Sequence, residues 1–355
     1  MRTITAHAAK DLRIEDQDLP SPGPGEVLVR MERGGICGSD LHYYNHGGFG
    51  TVRLKEPMIL GHEVAGRVEA LGAGAGHLAV GQLVAISPSR ACGSCDFCRS
   101  GAQNHCHNMR FYGSAMPVPH IQGAFRERLV ADVSQCVAAD GLDAGQAAMA
   151  EPLSVVLHAA RHAGDLAGKR VLVTGCGPIG LLAVLVARAY GALDIVATDV
   201  APFTLAAAAR IGADNTIDIA DTPDGLQPYT ADKGAFDVLF ECSGVASALA
   251  GAIPAMRPGG TIVQLGLGGD MTLPVQAMTA KELALRGSFR FHHEFPLAVR
   301  MMQAGRIDVL PLITHTFPLE RAVEAFDLAG DRSQSLKVHI DFLENPGQTG
   351  TTAPH

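Results

Sequence analysis

The sequence predicts an α/β fold built from two unlike parts, and three observations carry that reading. From residue 151 onward, apolar strands alternate with helical stretches, the pattern of a doubly wound parallel sheet. The first 150 residues instead read as short β-branched strands broken by Pro and Gly, as in a β-rich domain. Between a strand and a helix lies a G-x-G-x-x-G turn made by Gly175, Gly177 and Gly180, a spacing suited to a dinucleotide.

In chain order, "PSPGPGEVLV" is a turn feeding a strand, continued in "GEVLVRMERGG", and "GHEVAGRVEALG" is a second strand. The stretch "KRVLVTGCGPIGLLAVLVARAYGA" is a buried strand, a glycine turn and an apolar helix. "DIVATD" follows as a strand and "FTLAAAARIGA" as a helix; "NTIDI", "FDVLFEC", "TIVQLG" and "LALRGSF" continue the strands. After residue 292 come a helix, "EFPLAVRMMQAG", short strands and a second helix, "LERAVEAFDLAG". Residues 344–355 are polar with Pro and Gly and read as a disordered tail.

The 355 residues suffice for two domains. Trp is absent and aromatics make up 5% of the chain, so Leu, Val, Ile and Ala must fill the cores. A net charge of −8 without a basic run argues against nucleic acid as a partner. The N-terminus shows no apolar signal region, and the longest apolar run, "LLAVLVARAY", is interrupted by Arg188 and too short for a bilayer. A cytoplasmic protein that neither spans nor enters a membrane is expected. Eight cysteines in such a chain suggest metal rather than a disulfide framework.

Four of them, Cys92, Cys95, Cys98 and Cys106, lie in one loop with gaps of two, two and seven residues. Four thiolates close a tetrahedral zinc site with no open position, so this zinc would be structural. An iron–sulfur cluster is the competing occupant. In the glycine turn, Gly175, Gly177 and Gly180 permit close approach of a pyrophosphate to the helix start, and Asp199 ends the next strand 19 residues after Gly180. Its charge would accept ribose hydroxyls and repel a 2′-phosphate, which favours NAD over NADP. Cys37 stands apart, in "RGGICGSDLHYY". Catalytic zinc needs fewer protein ligands than structural zinc, and His62, Glu63 and Glu151, the last at the junction of the two textures, are the available companions. Taken singly, each has a plainer explanation in the core.

Taken together, "PGPGEVLV", "GGICGSDLH", "GHEVAGRVEALG", the four-cysteine loop, "EPLSV", "GCGPIG" and "GSFRF" resemble the zinc-dependent medium-chain alcohol and polyol dehydrogenases over residues 1–342. The resemblance implies a GroES-like catalytic domain over 1–150, completed by 293–343, and a Rossmann NAD-binding domain over 151–292. It implies two zinc ions per subunit, with Cys37 and His62 as ligands of the catalytic one. The alcohol-dehydrogenase branch has a third, cysteine ligand where this chain has Glu151; the sorbitol-dehydrogenase branch shares the departure, and Glu63 and Glu151 both remain for the zinc environment. Asp40 is implied to orient His62, Ser39 and His42 to relay a proton to solvent, and Tyr43 to wall the substrate pocket. Implied cofactor contacts extend to Pro178, Ile179, Gly244, Leu265, Gly266, Leu267, Phe289 and Arg290. A homodimer or homotetramer is implied as well.

The resemblance implies hydride transfer between NAD and a secondary alcohol, in its narrower form that of a sugar acid. A carboxylate substrate needs a cation, and Arg290 and Arg110 are the candidates, with His292 and His293 able to add charge. A neutral polyol such as sorbitol or xylitol is the alternative substrate. A zinc-containing, nucleotide-sensing binding protein is the rival of another class, disfavoured by the acidic charge and the second metal constellation.

Overall fold

The strand Arg170–Thr174 shows why the second half of the chain folds as it does. Its sequence, RVLVT, buries every position after the first. It pairs in parallel with a strand on either side, Val171 beside Ile195 and beside Val238. A strand flanked and covered in this way is apolar throughout rather than alternating. Val171 and Val173 turn into a core with Leu157, Leu181 and Phe295; Leu172 turns the other way, toward Leu249 and Ile253. The computed structural model describes residues 1–343; the tail expected to be disordered, 344–355, lies outside the described residues.

Six parallel strands make this sheet: Arg170–Thr174, Asp194–Asp199, Asn215–Asp218, Phe236–Glu241, Met256–Gln264 and Ala284–Gly287. Counted in chain order they stack 3-2-1-4-5-6, so the expected doubly wound sheet is present. The order reverses between the first and fourth strands, which opens a crevice at their C-terminal ends.

The N-terminal part is organised around Glu26–Gly35, the strand predicted from "GEVLVRMERGG". It pairs antiparallel with Glu63–Leu71 along its length, with Arg128–Asp132, and with Lys337–Asp341. Leu83–Ile86, Cys136–Ala138 and Ile313–Pro318 complete a seven-stranded sheet. Strands from the C-terminal end of the chain therefore finish a sheet begun near the N-terminus. Gly35 sits between Glu63 and His339. A Cβ there would collide with the Glu63 carboxylate, so the position needs a residue without a side chain.

Between the two parts runs the helix Ala150–Ala163, which packs against the helix Glu294–Gln303. Glu294, 2% exposed, is the polar tie between them. It accepts from the Arg161 guanidinium at 2.8 Å and the His292 amide at 2.9 Å, and faces His158 Nδ1 at 3.2 Å. Burial alone would push its carboxyl up, but His158, the His292 amide and Arg161 outweigh burial and hold it far below the ordinary carboxylate range. Among the described residues no helix is long and apolar enough to cross a membrane.

A depressed carboxyl contributes stability above its unfolded pKa, near 4.3, and loses it as the pH falls through the folded value. Glu294→Gln is therefore expected to cost about 2 kcal/mol at pH 7. The difference from the parent protein should shrink steadily below about pH 4. Urea unfolding at a series of pH values checks both the size and the sign.

Candidate metal and cofactor site

Cys37 lies two residues beyond the end of the central N-terminal strand and immediately precedes the helix Gly38–His46. Asp40 ties its loop to the one carrying His62. One carboxylate oxygen accepts from the Cys37 amide at 3.0 Å, the other from the Gly61 amide at 3.0 Å. That second oxygen also stands 3.7 Å from His62 Nδ1, facing the imidazole as an orienting group would. Sulfur of Cys37, a ring nitrogen of His62 and a carboxylate oxygen of Glu63 all lie within 4.8 Å of one another. His62 is 4% exposed, and its Nδ1 has no hydrogen-bond partner. Burial alone would push the imidazole down; Asp40, Cys37 and Glu151 outweigh it and raise its pKa well above the ordinary value. A pocket of soft and anionic donors that draws positive charge to a buried imidazole fits a divalent cation such as zinc.

Glu63 has a partner the sequence did not disclose. Lys337 Nζ donates to both its carboxylate oxygens, at 2.8 and 2.7 Å, and to the Ile36 carbonyl at 3.1 Å. Both side chains are at most 3% exposed. Burial would push Lys337 down, but Glu63 and Cys37 outweigh it and raise its pKa. Glu151 lies in the first turn of the helix Ala150–Ala163, 6% exposed. It falls outside the close set of Cys37, His62 and Glu63, and burial pushes its carboxyl up to about 7.

The second metal constellation is brought together as expected. The ligand atoms of Cys92, Cys95, Cys98 and Cys106 lie within 4.8 Å of one another. The Cys92 amide donates to Cys106 Sγ at 3.2 Å, and Cys92 Sγ stands 3.9 Å from Cys98 Sγ. Hydrogen bonds from Ser94 and neighbouring groups bring the Cys92 thiol down to about 5, whereas desolvation pushes Cys98 up to about 12. An all-thiol set of this size matches a closed tetrahedral site.

At the dinucleotide turn, Gly177 precedes the helix Pro178–Ala189, whose first residues are Pro178, Ile179 and Gly180. A Cβ on Gly180 would run into the Gly175 carbonyl, so turn and helix close on each other only with glycine there. Asp199 ends the second strand and is 9% exposed. It accepts from the Val200 and Ala201 amides at 2.7 and 3.1 Å, and from the Cys176 amide. A carboxylate offers roughly four acceptor sites, which leaves one for a ribose hydroxyl. Gly244 packs against Leu267 and Gly266, so the loops after the fourth and fifth strands, with Leu265, line the same end of the sheet as the glycine turn. Leu267 is 84% exposed there.

Ser39 and His42 lie one helical turn apart on Gly38–His46, Ser39 half-buried and His42 exposed. Burial and His46 lower the His42 pKa, which favours the neutral imidazole. Tyr43 is 3% exposed; its hydroxyl accepts from the Ala115 amide at 3.1 Å and its ring rests on Phe49. Arg290 has its guanidinium 4.4 Å from the Phe111 ring centroid and 4.9 Å from that of Phe289. Phe111 in turn packs on His62. No carboxylate pairs with Arg290 among the described residues. Arg110 is not brought to this group: it is exposed, and strand pleating sends its side chain to the face opposite Phe111. Burial and His293 push the His292 pKa down, which disfavours the positive charge expected of it.

Sequence reasoning missed Lys337, Phe111 and Glu241. Glu241, fully buried, accepts from the Ser243 and Gly244 amides and holds the loop after the fourth strand. Lys337 had a signal, a lone lysine in the apolar run "SLKVHI", since a buried lysine requires a carboxylate. Nothing in the sequence pointed to which one.

Residues 23–141 match the alcohol dehydrogenase GroES-like domain and residues 178–304 the zinc-binding dehydrogenase family. The chain is 44% identical to L-idonate 5-dehydrogenase (NAD(P)(+)) of Escherichia coli, over 89% of its own length and 92% of the relative's. It is 39% identical to sorbitol dehydrogenase of Gallus gallus, with 95% of both chains covered. The crystal structure of the E. coli L-idonate 5-dehydrogenase superimposes with a TM-score of 0.92 at 41% identity, covering 96% of this chain and 97% of that one. That of 2R,3R-butanediol dehydrogenase from Bacillus subtilis gives 0.86 at 29% identity, covering 96% and 99%.

Removing one partner of a buried ion pair leaves an uncompensated charge. Lys337→Met is expected to destabilise the metal-free protein by about 3–5 kcal/mol. Adding Glu63→Leu should restore most of that loss, as measured by urea unfolding in the presence of a chelator. A double variant no more stable than the single one would show that the pair is not the source of the loss.

Proposed function

This chain belongs to the zinc-binding, medium-chain alcohol dehydrogenases, and from that premise we propose that it is an NAD-dependent L-idonate 5-dehydrogenase, interconverting L-idonate and 5-keto-D-gluconate. The observation that carries the sugar-acid reading is Arg290. A guanidinium held between two aromatic rings, without a carboxylate partner among the described residues, is a preformed receptor for one. The E. coli relative's name supports the same substrate. A neutral polyol is the second reading, favoured by the sorbitol dehydrogenases among the relatives.

We assign Cys37 and His62, with Glu63 or Glu151, to the catalytic metal, and the four-cysteine loop to a structural one. Zinc at the first site supplies Lewis acidity to a substrate hydroxyl, and NAD in the sheet crevice supplies the hydride acceptor. The chain's own residues do the rest. Asp40 orients His62; Tyr43 and Phe111 wall the pocket; Ser39 and His42 are the residues that would stand at either end of a proton path through the bound nicotinamide ribose to solvent. Asp199 accepts from the adenosine ribose and disfavours a 2′-phosphate. Arg290 pairs with the substrate carboxylate. All eight cysteines are free, which suits a cytoplasmic enzyme; we expect a homodimer or homotetramer.

Following NADH absorbance with L-idonate, sorbitol and xylitol, each with NAD and NADP, tests the proposal. L-idonate with NAD should give the highest kcat/KM. Arg290→Ala should raise the KM for L-idonate roughly thirtyfold, about 2 kcal/mol of a charged hydrogen bond. A higher kcat/KM for either polyol would replace the sugar-acid reading, and equal use of NADP would remove the NAD preference.

A further inference from the structure

We propose that Asn104, in the four-cysteine lobe, is a positioning residue for Arg290 and so couples that lobe to substrate binding. The inference rests on the sugar-acid reading above. Asn104 is 7% exposed, and its Nδ2 donates to the Phe289 carbonyl at 3.1 Å, across 185 residues of chain. Its neighbour His105 stacks on the Phe289 ring, with centroids 6.0 Å apart and planes at 22°. The lobe thus grips Phe289 twice, by backbone and by ring, and Phe289 is one of the two rings that carry the Arg290 guanidinium.

Arg290 needs such a grip. Its φ is +56°, in the left-handed region that residues with a side chain rarely adopt. A conformation of that kind persists only where the surroundings over-determine it. The carbonyl preceding Arg290 is the one Asn104 holds, so the hydrogen bond fixes the peptide plane from which the left-handed residue starts. Asn104 and His105 belong to the short turn Gln103–His105, and the next residue is Cys106. Cys106 accepts from the Cys92 amide and is one of the four clustered thiols. The position of the turn is therefore set by the cysteine centre. The lobe reaches the arginine only through Phe289, yet it decides where the carboxylate-binding arginine stands.

The test is a double-mutant cycle on the intact enzyme, with L-idonate as substrate and NAD saturating: the parent, Asn104→Ala, Arg290→Ala and both together. Asn104→Ala is expected to raise the KM about tenfold with kcat within twofold. Adding it to Arg290→Ala should raise the KM less than twofold further, because no positioned guanidinium remains to be misplaced. His105→Leu, at an exposed position, removes the stacking without touching the buried hydrogen bond, and should raise the KM about threefold should Asn104→Ala fail to fold. A full tenfold effect of Asn104→Ala in the Arg290→Ala background, or an unchanged KM in both lobe variants, overturns the inference while leaving the sugar-acid reading intact. Absence of L-idonate turnover by the parent enzyme, or Arg290→Ala without effect on KM, overturns that reading and this inference with it.

Discussion

The pocket depends on one buried contact, the Lys337 ammonium lying on the Glu63 carboxylate. This contact adjoins both loops that Asp40 ties together. Glu63 adjoins His62, and the Ile36 carbonyl, which also accepts from Lys337, adjoins Cys37. The contact requires Gly35, because a side chain there would occupy the space the carboxylate needs. It also requires the chain to come back after the parallel sheet is finished, since Lys337 lies 274 residues beyond its partner. The mixed sheet of the N-terminal part is thus closed by the strand that brings the lysine.

That long return explains how much of the molecule is legible from sequence. The parallel sheet is readable because each strand is a local apolar run and each turn carries its own glycines; "VLVTGCGPIG" holds strand, turn and helix start in ten residues. The four-cysteine lobe is readable for the same reason, its ligands being close in sequence. Cys37 and His62 are visible in sequence as candidates, but only the resemblance pairs them, because their proximity is made by Asp40 bonding two separate loops. Lys337 with Glu63 and Asn104 with Phe289 pair side chains or backbone across most of the chain. Periodicity records burial along one element and contains no term for such partners.

Arg290 shows how the two parts cooperate. It leaves the parallel sheet just after Ala284–Gly287 but lies on Phe111 from the other part, and Phe111 packs on His62. Desolvation lowers its pKa, with Glu151 and Tyr43 acting in the opposite direction, yet a guanidinium remains charged at any physiological pH. Aromatic faces stabilise such a cation without consuming its in-plane donors, of which one approaches Met116 Sδ at 3.9 Å. A lysine on the same backbone would present a point charge and lose the stacking.

The two glutamates beside the pocket are alike in sequence and unlike in surroundings. Glu63 has a cation in direct contact. Glu151 has none as close: burial dominates, Glu63 adds to it, and His62 and Lys337 only partly oppose it, so its carboxyl titrates up at about 7. Without a further positive charge, the surroundings of Glu151 favour its protonated form. A divalent ion among Cys37, His62 and Glu63 adds that charge and favours the carboxylate. Binding of the ion and loss of the Glu151 proton are then linked. Glu63 is the carboxylate balanced by Lys337, and Glu151 the one that burial pushes toward its neutral form.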